Sequence, residues 1–147
     1  MNYCAKFFAF NGFDPPVFPS YETIGSSGMD LRAYLPLSEA LTIQPMCRGV
    51  IPTGLGVDIN QGFEGQVRSR SGLAAKHGVF VLNSPGTIDS DFSGHIKVIL
   101  FNSGDTPFTV VTGDRIAQMV FSPVAYAEST SSNRVRGTGG FGSTGIS

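Results

Sequence analysis

Five short stretches of this 147-residue chain carry charged, amide or glycine residues where the surrounding pattern calls for apolar or neutral ones: SSGMDLRAY, RSRSGLAAKHG, LNSPGTIDSDFSG, GDRIAQMVF and the closing RGTGGFGSTGIS. In the second, Arg70, Ser71 and Gly72 open a short predicted helix. A guanidinium, a hydroxyl and unpaired backbone N–H groups at a helix start suit an anion, although the same residues also serve as a plain strand end and helix cap. Gln118 falls between Ile116 and Val120 on one face of a predicted strand. A buried amide must find partners or cost about 1–3 kcal/mol, which suits a ligand contact or an interface. Asp89 and Asp91 stand in turn-rich sequence, as loop carboxylates that are either solvated or placed to orient a water. Asp30, after Gly28 and Met29, either ends a strand or acts with the others. Near the end, Gly137, Gly139 and Gly142 spell G-x-G-x-x-G. That turn holds a dinucleotide only inside a strand-helix-strand unit, and too little chain follows to build one.

Other chemistries are excluded by what the chain lacks. His77 and His95 are its only histidines, and no H-E-x-x-H, C-x-x-C, G-x-S-x-G or G-x-x-x-x-G-K-[ST] occurs, which argues against a zinc site, a serine triad or a P-loop on those patterns. Ten basic and eleven acidic side chains leave a net charge of −1, so no broad electrostatic stripe for nucleic acid is expected and any anion must be held locally. The two cysteines, Cys4 and Cys47, do not make a disulfide framework and are expected to be reduced and structural. Only Lys6 and a brief FFAF precede Pro15 and Pro16, too short for a secretory core, and no apolar run reaches the length of a membrane span. The expectation is a soluble, cytoplasmic, unprocessed protein.

The elements that must position these residues are mostly strands. MDLRAYL, GLGVDI, FEGQVRSR, GVFVL, HIKVILFN and PFTVVTG are short, rich in β-branched and aromatic residues, and bounded by Gly, Pro, Asn or Asp. That pattern predicts an all-β sandwich or jelly roll in one domain. SGLAAKHG alone reads as a short helix, with Ser71 as N-cap and Gly78 as its stop. From about Glu128 the sequence turns Ser/Thr/Gly-rich. Residues 1–133 are read as the β domain and 134–147 as a C-terminal arm, which is either a tail without a role or a lid ordered by a ligand.

Taken in order, SGMDL, RSGLA, GTIDSDFSG, GDRIAQMVF and RGTGGFGSTG resemble the five motifs of the homotrimeric deoxyuridine triphosphatases, over about Ser26 to Gly145. The resemblance implies a jelly-roll trimer that hydrolyses dUTP to dUMP and pyrophosphate, limits uracil incorporation into DNA and supplies dUMP for thymidylate synthesis. It implies three sites at the subunit interfaces, with Mg²⁺ carried on the triphosphate. Asp89 would be the general base. Arg70, Ser71, Gly72 and Gln118 would grip the phosphates, with Lys97 also among the substrate-binding residues, and Asp30 would organise the arginine or the metal's water shell. Asn83 and the backbone of the hairpin through Gly86, Thr87 and Ile88 would read uracil, and Phe92, where relatives usually have tyrosine, would stack on the deoxyribose. In the arm, Arg136 would reach the γ-phosphate, Phe141 would stack on the base, and Gly142, Ser143, Thr144 and Gly145 would donate hydrogen bonds, all to a site formed by the other two subunits. Ser69 departs from the proline that many relatives have before the arginine and is expected to matter little. Two alternatives stay open: a dCTP deaminase-like enzyme of the same fold, and a catalytically silent trimer that binds dUTP.

Overall fold

The computed structural model describes residues 3–13, 17–36 and 39–129. Within them run strands β1 (Ala5–Ala9), β2 (Met29–Arg32), β3 (Leu41–Ile43), β4 (Arg48–Pro52), β5 (Leu55–Ile59) and β6 (Phe63–Arg68), then helix α1 (Ser71–His77). Strands β7 (Val79–Val81), β8 (Gly86–Ile88), β9 (Lys97–Asn102), β10 (Phe108–Val110) and β11 (Arg115–Pro123) complete the fold. All pairings are antiparallel, in a four-stranded sheet β2-β11-β6-β8, a three-stranded sheet β4-β9-β7, and the pairs β1-β5 and β10-β3. The all-β expectation holds, with one short helix and no closed barrel among the described residues.

Strand alternation decides which residues are free for chemistry. In β2, Met29 and Leu31 are buried while Asp30 and Arg32 point away from the core; in β6, Gly65 and Val67 face inward while Glu64, Gln66 and Arg68 face outward. Leu31 and Val67 join Ile51, Val79, Leu100, Val110 and Met119 in one continuous core. Buried Asn102 is fully partnered: its side-chain amide donates to the Ile43 and Thr106 carbonyls at 2.9 and 2.8 Å and accepts from Gly104 N at 2.9 Å.

Several expectations need correction. The helix cap is Arg70, not Ser71: Arg70 keeps extended backbone (φ −94°, ψ 125°), and Ser71 is already helical. The Arg70 side chain makes no capping hydrogen bond and instead enters an ion pair described below. Gly78 does stop the helix, in the left-handed region (φ 66°) that glycine adopts without penalty. Gln118 does not share a face with Ile116, because a bulge between Arg115 and Ala117 shifts the register and buries both Ile116 and Ala117. Cys4 is half-buried and free, while Cys47 is free and exposed, so Cys47 has no structural role in the core.

The N-terminal strand is bound to the body of the domain. β1 pairs along the whole of β5, and Phe8 lies over Gly56, where any Cβ would collide with its ring. Beyond β1, Phe10 stacks on His95 (centroids 4.9 Å apart) and Phe13 packs against both His95 and Tyr34.

Candidate active site

The sheet register assembles the polar residues of three separate stretches in one row. Gln118 of β11 lies opposite Asp30 of β2 on one side and Arg68 of β6 on the other. Immediately after β6 the chain leaves the sheet through Ser69 and Arg70. Arg70 Nε donates to Asp30 Oδ1 at 2.9 Å, and Arg70 Nη1 donates to the Arg115 carbonyl at 3.1 Å. Arg115 Nη1 reaches the other oxygen, Asp30 Oδ2, at 3.4 Å. One carboxylate thus lies between two guanidiniums and orders both of them beside the head of α1. Ser71 and Gly72 are exposed there, and among the described residues nothing beyond the chain neighbours and the helix's own backbone lies within 4 Å of where a Gly72 Cβ would stand.

Gln118 fills a place that Gly28 leaves open. Its Oε1 lies where a Cβ on Gly28 would sit, and its Nε2 donates to the Ser69 carbonyl at 3.0 Å. An amide has two N–H groups, so a further donor is left. Along the outer face of β6, Gln66 Nε2 donates to Glu64 Oε1 at 2.7 Å and Arg68 Nη2 donates to Gln66 Oε1 at 2.7 Å, a ladder made by residues two apart on one strand.

The hairpin segment Asn83–Ile88 and Asp89 lie on β8 and its flanks. Thr87 pairs with Gln66, Gly86 with Val67 and Ile88 with Gly65. The Ser84–Pro85 peptide is cis, and Asn83 Nδ2 lies 3.2 Å from where a Cβ on Gly86 would be, so the amide lies close over the glycine. Because β8 runs antiparallel to β6, its first residue is beside the Arg70 end and its last is at the far end, roughly 3.3 Å further for each residue. Asp89 therefore opens elsewhere: with Ser90, Asp91, Glu64 and Tyr126 it lines an open cleft of about 580 Å³. Arg70 opens into a different depression of about 340 Å³ with Arg115, Asp114, His77 and Phe108. Phe92 closes a turn on Asp89 (Phe92 N to Asp89 O, 3.1 Å), and its half-exposed ring lies over Gly94.

Asp30, Arg70, Ser71, Gly72 and Gln118 are thus gathered at one end of the sheet and Asp89 and Phe92 at the other. Lys97 stands apart from both groups, exposed at the start of β9 beside His95. Arg136, Phe141, Gly142, Ser143, Thr144 and Gly145 lie outside the described residues. Sequence reasoning left Arg115 without a role, although its place at the start of a strand, inside a stretch singled out for its polar residues, was the signal. His95 accepts a hydrogen bond from Gly54 N at Nε2 (2.9 Å). Burial, and secondarily the charge of Lys97, push its pKa below the ordinary 6.5.

A family model described as dUTPase matches residues 16–145. The chain belongs to the dUTPase family. It is 57% identical over 132 residues to the deoxyuridine 5'-triphosphate nucleotidohydrolase of Rhizobium leguminosarum bv. trifolii, covering 87% of this chain and 85% of that one. A variant dUTPase of Staphylococcus bacteriophage 80alpha, solved with dUpNHpp, shares the fold at a TM-score of 0.78 and 22% identity, over 97% of this chain and 98% of that chain. A variant dUTPase from phage phi11 of S. aureus, described with a coordinated structural Mg(II) ion, shares it at a TM-score of 0.77 and 18% identity, over 90% and 99%. The dUTPase fold thus accounts for the sheet pairings that gather Asp30, Arg70 and Gln118. Among the described residues, no helix is long and apolar enough to cross a membrane.

Proposed function

We propose that this chain hydrolyses dUTP to dUMP and pyrophosphate, at sites that copies of the chain share in a homotrimer. The observation that carries the reading is the Asp30–Arg70 ion pair, which fixes a guanidinium beside exposed Ser71 and Gly72 and so prepares a small cationic cradle for phosphate oxygens. Splitting the α–β phosphate link needs a water in line with the α-phosphorus, a carboxylate to orient and deprotonate it, and cationic groups on the leaving pyrophosphate. Asp89 is the carboxylate. Arg70, the Ser71 hydroxyl, the Gly72 N–H and the remaining N–H of Gln118 are the phosphate donors. Because Arg70 and Asp89 of one chain open into different depressions, a complete site draws them from different copies, which supports the shared-site trimer.

Asn83 and the backbone of Gly86, Thr87 and Ile88 present donors and acceptors to the Watson–Crick edge of uracil, in a hairpin too tight for a 5-methyl group. Phe92 stacks on the deoxyribose and leaves a 2′-hydroxyl both blocked and unpaired. Lys97 adds a cation for substrate. From a third copy, Arg136 meets the γ-phosphate, Phe141 covers the base, and Gly142, Ser143 and Thr144 supply donors to the phosphates. Both oxygens of Asp30 are turned to guanidiniums, and the described residues hold no cluster of three or more metal-ligating side chains. This donor set suits Mg²⁺ held on phosphate oxygens and waters, with Asp30 acting through water. When bound on the triphosphate, the ion supplies charge neutralisation for the departing pyrophosphate. The reaction removes dUTP before a polymerase can use it and yields dUMP for thymidylate synthesis, in the cytoplasm.

The test is pyrophosphate release from dUTP, dTTP, dCTP and UTP side by side. Preference for dUTP by at least about a hundredfold in kcat/KM is expected. Comparable release from dTTP, or ammonia released from dCTP in its place, would overturn the reading.

A further inference from the structure

The junction between β6 and α1 holds a residue in an unusual position. Ser69 is half-buried, and each of its oxygens is engaged by a different part of the domain. Its carbonyl accepts from Gln118 Nε2 of β11 at 3.0 Å. Its Oγ accepts from the backbone N–H of Val81, the last residue of β7, at 2.9 Å, and lies 3.4 Å from the Ser84 hydroxyl, a contact in which either group can donate. Residue 70 begins the cationic cradle, and residues 82–85 begin the base-facing hairpin. The Ser69 side chain therefore stands where the two meet.

We infer that the Ser69 hydroxyl is a positioning group that holds the phosphate-facing segment Arg70–Gly72 and the base-facing hairpin Asn83–Ile88 in fixed register with one another. The hydroxyl is suited to this because it uses both of its capacities: a lone pair takes the Val81 N–H, and the proton is free to bridge to Ser84. An alanine has neither. The proline that many relatives have here also offers Val81 N–H no acceptor, but its ring fixes φ and restrains the loop by another route, so in this chain the hydroxyl does what the ring does there, and only alanine loses both. Val81 would then have its N–H unpaired at a partly buried site, and the loop leading to Arg70 would be tethered to the hairpin by backbone alone. Misplacing phosphate donors by a fraction of an ångström costs the in-line geometry before it costs binding, so the loss belongs in kcat. Where neighbouring copies complete each site, the same bridge also connects the cradle of one site to the hairpin of the next, within one chain.

This inference rests on the proposed dUTP hydrolysis, and the experiment separates the two. Ser69→Ala and Ser69→Thr are compared with the parent in steady-state dUTP hydrolysis, with thermal melting measured for each. The expected result is about a tenfold fall in kcat for Ser69→Ala with KM changed less than about threefold, and recovery to within about twofold in Ser69→Thr, which keeps the hydroxyl. A merely structural role would lower the melting temperature and leave kcat per folded site unchanged. Parental kcat in Ser69→Ala, or an equal loss in both variants, would overturn the positioning role while leaving the function standing. A parent that fails to release pyrophosphate from dUTP would overturn both.

Discussion

Arg70 Nε and Asp30 Oδ1 lie 2.9 Å apart although 40 residues separate them in sequence, and both side chains are largely withdrawn from solvent, at 27% and 19% exposure. Asp30 also takes Arg115, so its charge orders two guanidiniums at once. Asp30→Asn keeps the size of the side chain and removes that charge. We expect kcat/KM for dUTP to fall about ten- to a hundredfold, with a melting temperature lower by only a few degrees, because the arginines turn toward water when their shared partner is lost. Steady-state kinetics alongside thermal melting checks both halves, and an unchanged kcat/KM would show that the ion pair does not set up the site.

Gly28→Ala probes Gln118 without touching it. The new methyl would occupy the space of Gln118 Oε1, the far end of a flexible side chain, so the fold should accommodate it while the Gln118 bond to Ser69 is lost. The expected outcome is a melting temperature within a few degrees of the parent and kcat/KM lower by about tenfold. A crystal structure of the variant would show whether the amide has swung away. Full activity with a displaced amide would remove Gln118 from the phosphate-binding set.

His95 makes stability depend on pH with a definite sign. Its folded pKa lies below 6.5, because burial and then Lys97 disfavour the imidazolium, and protonation would also remove the acceptor of the Gly54 N–H. The unfolded chain therefore binds the proton more readily. The contribution is fully present above about pH 6.5 and is lost as pH falls through the folded pKa. Between pH 7.5 and 5 the melting temperature of the parent should drop more steeply than that of His95→Gln, whose amide oxygen can still accept from Gly54. Parallel curves for the two proteins would count against the assignment.

The shared site can be tested by mixing two dead chains. Deletion of residues 134–147 and Asp89→Asn should each reduce turnover by at least about a hundredfold, while Asp89→Asn still binds dUTP. Co-expressed, they form mixed trimers in which some sites combine an intact Asp89 with an intact arm, and part of the activity should return. Mixed trimers verified by mass and still inert would refute the exchange of parts between copies.

Much of the site could be read in the sequence because polar residues interrupt strand alternation. Asp30 between Met29 and Leu31, and Gln118 beside Met119, stand out against apolar neighbours. The partners could not be read. Arg115 finds Asp30 85 positions away, through a pairing of β11 with β2 that no local pattern announces. The bulge that re-aims Gln118 is likewise a property of two strands together. β4 was missed because Arg48, Gly49 and Pro52 spoil its composition, and it becomes a strand by pairing with β9. β3 is only three residues long and depends on β10. β1 reads as a short apolar run, and only the groove over Gly56 gives it a place.

That groove bears on how the protein can be handled in the laboratory. Among the described residues the sheet partner of β5 is β1, so stripping away residues 1–13 would unpair the N–H and C=O groups that face β1 and uncover the space over Gly56 that the ring of Phe8 fills. An exposed edge of this kind recruits strands from other molecules. Truncation up to Ala5 should cost only the two hydrogen bonds that the Tyr3 and Cys4 carbonyls accept from Asn60, whereas truncation past Phe13 should yield a protein that clumps during purification, and a synthetic peptide spanning residues 3–13 should keep it in solution.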